Sequence, residues 1–284
     1  MPNVKFKSVI QSVAVDGIIQ DASCNFTTSG NVALTERILE PKELQVNLSL
    51  CKQEFVDSWQ ALQLGYSAFD EIPKDFNDFL ISYVGGKVAQ ATEESIWRGV
   101  NATSGQFGGI YTALSSSVVA GGGNAPVTSS QSGSIDSSNV LAALQNVVDA
   151  IPITVYGKED LMIYVPTNVV KAYQQALSGV NVTNAGAQSA LAANGFDSKV
   201  TVGAKPMNFN GIDLAHCPGL ASSAVVAAQK SNLYFGTGLL SDYNEVRVLD
   251  MANLDGSQNY RIIMRYTAGT QYGIGSDIAI HKNY

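Results

Sequence analysis

Residues 72–99, IPKDFNDFLISYVGGKVAQATEESIWRG, constrain this chain more than any other stretch, because they read as one long amphipathic helix. Pro73 suits a first helical turn, and Asp75 and Asp78 sit at the positive end of the dipole. Phe76, Phe79, Leu80, Tyr83, Val84, Lys87, Val88, Ala91 and Ser95 recur at three- and four-residue steps. That spacing predicts a single, mostly apolar face on a helix over about 73–98. Gly85-Gly86 in its middle costs about 1 kcal/mol per residue against alanine. Another element must therefore pack very close there, or the helix bends.

Such a helix needs a sheet to cross, and the remaining sequence offers one. Residues 42–51 contain the alternation Leu44, Val46, Leu48, Leu50, a strand with one apolar face. It forms a strand pair with ILE around Pro41-Lys42, and a short helix is expected over Gln53–Leu64. The C-terminal third holds further strands: GIDLAHCPGL, SAVVAAQ, LYFGT, EVRVLDM, YRIIMRY and IAIH, with Asp255-Gly256 as a hairpin turn. Between lie SSSVVAGGGNAPVTSSQSGSIDSS, expected as a mobile loop, and an insert of helix, strand and helix. In that insert Asn139–Ala150 is helical with Asp136 or Ser137 as cap, LMIYV is a strand, and 168–178 is helical again. Residues 1–34 show short apolar groups without sustained period and read as an extended arm with little core of its own. The fold class is α+β, the long helix lying across a sheet built from the last third.

Chemistry is sparse. His216-Cys217, near Asp213, brings together a thiol, an imidazole and a carboxylate, but adjacent strand residues face opposite ways, so the histidine cannot readily activate the thiol. Asp250, Asn253, Asp255 and Asn259 have a calcium loop's oxygens without its spacing or its closing glutamate; a turn explains them. Glu93 and Glu94 diverge by about 100° around the helix and form no acid–base pair. Triple glycine at 121–123 lacks the Gly-Lys-Ser/Thr of a phosphate loop. No catalytic, metal or cofactor site is expected, and a hydrolase built on Cys217 is the reading to exclude.

Net charge is −7 over 284 residues, with 14% charged residues against the usual ~25%. A chain so short of charge hides surface in partners, and with no cluster of Lys and Arg it is not built to grip nucleic acid. Cys24, Cys51 and Cys217 are far apart and read as free thiols of a reducing compartment. The N-terminus lacks a signal peptide's apolar core, so the four N-linked glycosylation motifs are taken as chance, and no run of ~20 apolar residues spans a membrane. Trp97-Arg98 has two readings, a protein contact or a core tryptophan with an arginine at the negative helix end.

The order of parts resembles the major capsid protein of tailed double-stranded-DNA bacteriophages, the Hong Kong 97-type fold. ILEPKELQVNLSLCKQEF resembles its extended-loop and strand region, and FNDFLISYVGGKVAQATEESIWRG its spine helix. VYGKEDLMIYVPTNVVKAYQQAL is similar to the axial domain's strand and helix, and RIIMRYTAGTQYGIGSDIAIHKN to the closing strands. The resemblance implies an N-terminal arm over 1–31, an extended-loop region over 32–65 and a peripheral domain over 66–137. An axial domain over 138–218 and return strands over 219–284 complete it. It implies a non-enzymatic virion protein, assembled in the host cytoplasm as hexamers and pentamers into an icosahedral shell around the genome. Implied partners are other copies of itself, portal, scaffolding or decoration proteins, and weak, non-specific contact with packaged DNA. No long helical, charged segment precedes the arm in this sequence, so a scaffolding domain is expected to be supplied separately or already removed. Candidate intersubunit contacts are Lys5, Lys7, Pro41, Lys42, Trp97 and Arg98. One branch of the family cross-links itself through lysine; Lys42 lies in the right kind of loop, but no motif fixes its partner. The alternative is an encapsulin-like compartment, the same fold enclosing enzymes.

Overall fold

A computed structural model describes residues 1–4, 6–17, 19, 21, 22, 24, 30–51, 74–121, 124–129, 133–177, 207–238, 245–252, 254–257 and 259–281. Lys5 and the helix expected over Gln53–Leu64 lie outside the described residues. The helix-bearing sequence is helical from Lys74 to Arg98 (α1), within a residue of expectation. It rests on a sheet of β3 (Lys42–Cys51), β9 (Leu233–Thr237), β10 (Val246–Asp250) and β11 (Asn259–Tyr272). The long strand β11 pairs antiparallel with all three others. Its alternate residues Tyr260, Ile262, Met264, Tyr266 and Ala268 are buried on the helix side.

Among the described residues, one ridge of α1 touches this sheet. Leu80 and Val84, with Val88, pack against Tyr260 and Ile262, and the Thr92 hydroxyl meets that of Tyr266 at 3.3 Å. Phe79 and Tyr83, expected on the buried face, are 49% and 59% exposed. A single i, i+4 ridge suffices to fill the groove over a sheet this narrow, so the neighbouring stripe stays outside. Gly85 and Gly86 would admit a Cβ with nothing within 4 Å, so no described element of this chain approaches them closely.

A second sheet takes the order β4-β12-β8-β5-β7-β6. Its strands are β4 (Val127–Thr128), β5 (Leu161–Val165), β6 (Asn208–Phe209), β7 (Ile212–His216), β8 (Val225–Gln229) and β12 (Ala279–His281). One face carries α3 (Val140–Asp149) and α4 (Thr167–Leu177), with Leu144, Val147, Val169 and Tyr173 on Ile163, Val225 and Ala227. The other face is covered by Trp97 of α1 and by Ile110 and Leu114 of α2 (Ile110–Ala120). The α+β expectation is met, with strands from the last third in both sheets.

The chain passes from one sheet to the other in the three-residue turn Lys230–Asn232. Asp160 holds this turn through the Ser231 hydroxyl (2.5 Å) and the Gln229 amide (2.8 Å). The buried Asn232 accepts from the Ile274 amide (2.8 Å) and donates to the Ile274 carbonyl (2.7 Å), tying the second passage, between β11 and β12, to the first. Two expectations change. The stretch read as a mobile loop is helical as far as Ala120, with two of its serines accommodated because Ser116 bonds the Thr112 carbonyl and Ser117 the Tyr272 hydroxyl. Farther along, Val127–Thr128 joins β12 and Ile135 is buried. The front of the chain is also not a simple arm. Ser8–Asp16 (β1) pairs with Asn31–Leu39 (β2) over nine residues, and Asn3 and Val4 donate to Gly238 and Thr237 of the same subunit.

Candidate intersubunit surfaces

The β1–β2 hairpin is the most unusual surface of the molecule. Its register sets Val9 opposite Ile38, Gln11 opposite Glu36 and Val13 opposite Leu34, with Val32 two residues farther along, all on one face. Val9, Val13, Val32, Leu34 and Ile38 are each more than half exposed, from 51% to 68%. The single polar pair among them is bonded to itself, Gln11 donating to Glu36 at 2.8 Å. The opposite face is more polar, with Ser12 and Thr35 hydroxyls 2.5 Å apart. An isolated two-stranded hairpin is marginal in water. Covering these five aliphatic side chains would contribute on the order of 5 kcal/mol. Sequence reading missed this face because Ile10 and Leu39 on the other side blur the alternation. The usable signal was two runs of nine residues bounded by Gly17 and Gly30, both with positive φ.

A second open surface is the face of β10-β11-β3 turned away from α1. Arg247, Leu249, Ile263, Arg265, Glu43 and Thr267 line a groove of about 460 Å³ there. Arg247 is paired with Glu245 at 2.5 Å, and Arg261 with Asp255 at 3.5 Å. Arg265 has no ion pair among the described residues. Apolar floor and guanidinium rim match in kind an aliphatic face bearing one carboxylate.

The candidate contact residues fall into separate environments. Lys7 is exposed and paired with Glu40 at 3.3 Å. Pro41 is wedged against Gly269, whose Cβ would lie 2.9 Å from the proline Cα. Lys42 opens β3 rather than lying in an exposed loop, and its ammonium donates to the carbonyls of Asn101 (2.9 Å), Thr103 (3.1 Å) and Gln106 (2.8 Å). Those three bonds make it a tether for the loop after α1. Trp97 is corrected: it is buried at 4% exposure and packs on Tyr164 with ring centroids 5.1 Å apart, so it belongs to this subunit's core. Arg98 stays at the surface in an i, i+4 pair with Glu94 at 2.9 Å.

No nucleophilic pair forms at His216-Cys217. The His216 ring bonds the Thr167 hydroxyl at 2.9 Å on the outside, while Cys217 is buried, and burial with the nearby Glu93 carboxylate pushes its thiol up to about 12. A neutral, enclosed thiol is unreactive. Alkylation of the native chain with iodoacetamide at pH 8 should therefore label exposed Cys24 and spare Cys217 until denaturant is added, as read by peptide mass spectrometry. Rapid native labelling of Cys217 would contradict its placement. His281, without a partner in the sequence reading, has one in Ser129 at 2.9 Å, and burial lowers its imidazole below the usual range. Asp255 spends its oxygens on the turn, accepting from the Ser257 amide at 2.9 Å. Among the described residues no group of three His, Cys, Asp or Glu could hold a metal, and no helix is long and apolar enough to cross a membrane.

No family model and no curated protein matches the chain. Solved structures do. The capsid of the native GTA particle aligns over 100% of this chain and 86% of its own, with TM-score 0.66 at 11% identity. The cyanophage A-1(L) capsid aligns over 100% and 89%, with TM-score 0.61 at 12% identity. The capsid of Myoviridae phage XM1 aligns over 99% and 87%, with TM-score 0.57 at 11% identity. Over nearly its whole length, this mixed helix-and-sheet chain thus shares its fold with these capsid subunits.

Proposed function

We propose that this chain is a shell-forming subunit, a major capsid protein of the Hong Kong 97 type that assembles as hexamers and pentamers around a phage's double-stranded DNA. The observation that carries the reading is the aliphatic face of the β1–β2 hairpin, which no described residue of the subunit covers. A second copy covers it, and the groove at Arg265 is the acceptor whose chemistry fits Glu36 and its aliphatic neighbours. The α1-bearing sheet then corresponds to the peripheral domain, the six-stranded sheet to the axial domain, and β1–β2 to the extended loop, in place of 32–65. In this reading the chain performs no catalysis and resides in the virion. Portal, scaffolding or decoration proteins and the packaged DNA are its further partners. Lys42 is spent on carbonyls, so cross-linking through it is not part of the proposal. Arg98 and Lys7, both exposed, remain among the contacts, and Lys5 with them as an expectation.

Sedimentation velocity tests the reading. The purified chain should show species of hexamer size or larger that grow with concentration, and a monomer persisting across concentration and salt would overturn it.

A further inference from the structure

The hairpin is a lever on a small footing. Nine residue pairs at about 3.4 Å per residue make it roughly 30 Å long, yet among the described residues its contacts with the body cluster at Ile10 and at Arg37–Leu39. Leu39 is fully buried beside Gly236, where an added Cβ would stand 2.7 Å from its side chain. Gln271 donates to the Ile38 carbonyl at 2.9 Å. Ile10 faces Gly273, at 3.8 Å from where a Cβ would be. A further contact is the Arg37 guanidinium, 3.9 Å from the centre of the Tyr272 ring. The Nε of Arg37 is buried without a hydrogen-bond partner, so stacking on the ring is what holds that part of the side chain. Tyr272 is itself fixed: its side chain is fully buried and its hydroxyl bonds Ser117 of α2.

We infer that Arg37 on Tyr272 is a latch that sets the direction in which the hairpin leaves the subunit. Leu39 acts as the pivot, because it is enclosed on all sides and lies at the end of the pairing. Arg37 sits two residues out, where a flat cation can seat on a ring or lift from it. A lever of this length turns a 10° change at the base into about 5 Å at the tip. An ammonium is a compact, strongly hydrated point charge and does not stack as a planar guanidinium does, so lysine is a poor substitute. The consequence for assembly rests on the shell reading: copies in non-equivalent positions of a closed shell need different hairpin directions, and a footing this small permits them. The latch itself does not depend on that reading.

Spin labels at Val13→Cys on the hairpin and Ser104→Cys on the body, in a Cys24→Ser, Cys51→Ser background, measure the angle by double electron–electron resonance on the unassembled chain. Arg37→Lys should at least double the width of the distance distribution. Tyr272→Phe keeps the ring, loses only the bond to Ser117, and should leave the width as in the parent. An unchanged width in Arg37→Lys overturns the latch. So does equal broadening in Tyr272→Phe, which would place the restraint elsewhere. If Tyr272→Phe fails to fold, Arg37→Lys alone decides. Assembly of the parent chain, scored separately, reports on the shell reading and is independent of either width.

Discussion

Leu34→Asp should leave the isolated subunit folded and reduce assembly at least a hundredfold. Leu34 is 68% exposed and sits mid-hairpin, opposite Val13. In the free subunit the change is a surface substitution, within about ±0.5 kcal/mol. In an assembly that covers the hairpin face, the same carboxylate is taken out of water where Arg247 is already paired with Glu245 and Arg265 is given to Glu36. That costs several kcal/mol per copy, and a hundredfold loss needs only about 2.7 kcal/mol. Sedimentation velocity gives the assembled fraction, and a circular-dichroism melt checks the fold. Wild-type assembly by the variant would mean that the face remains in water.

The largest effect on folding should come from Gly99→Ala. A Cβ there would stand 2.0 Å from the Phe107 carbonyl oxygen and 2.6 Å from that of Ser95. Both are backbone atoms, in the junction where Gly99 donates to Ser95 and accepts from Gly109. Gly109 is equally pressed, 2.5 Å from the Trp97 carbonyl oxygen. Overpacking ordinarily costs 1–3 kcal/mol. A clash with backbone on two sides should exceed that, about 3 kcal/mol or more, lowering the melting temperature by roughly 6–12 °C. Gly85→Ala is the informative contrast. Its Cβ meets nothing, so the isolated chain should gain about 1 kcal/mol from helix propensity. A Gly85 variant less stable than Gly99→Ala would contradict the packing described.

What the sequence disclosed followed from the strength of its periodicity. The long helix ended where its pattern ended, at Arg98, and β3 and β5 were legible as short apolar alternations or runs flanked by turns. The hairpin was not, because both of its faces carry some aliphatic side chains, and pairing between residues 8 and 39 is invisible to a local window. The buried stripe of α1 was read too wide, since Phe79 and Tyr83 have helical spacing but no sheet beneath them. Trp97 and Lys42 show a different limit. A tryptophan beside an arginine, or a lysine after a proline, has the same spelling in an interface and in a core. Only the fold reveals that one packs on Tyr164 and the other is saturated by three carbonyls. One pair was easier to read: the strand alternation that separates His216 from Cys217 holds in three dimensions.

An electron cryomicroscopy map of the assembled protein tests the central claim most directly. The account predicts a closed shell in which density from an adjacent copy lies against Val9, Val13, Val32, Leu34 and Ile38. Particles whose hairpins stand free in solvent, or a chain that stays monomeric at every concentration reached, would contradict it.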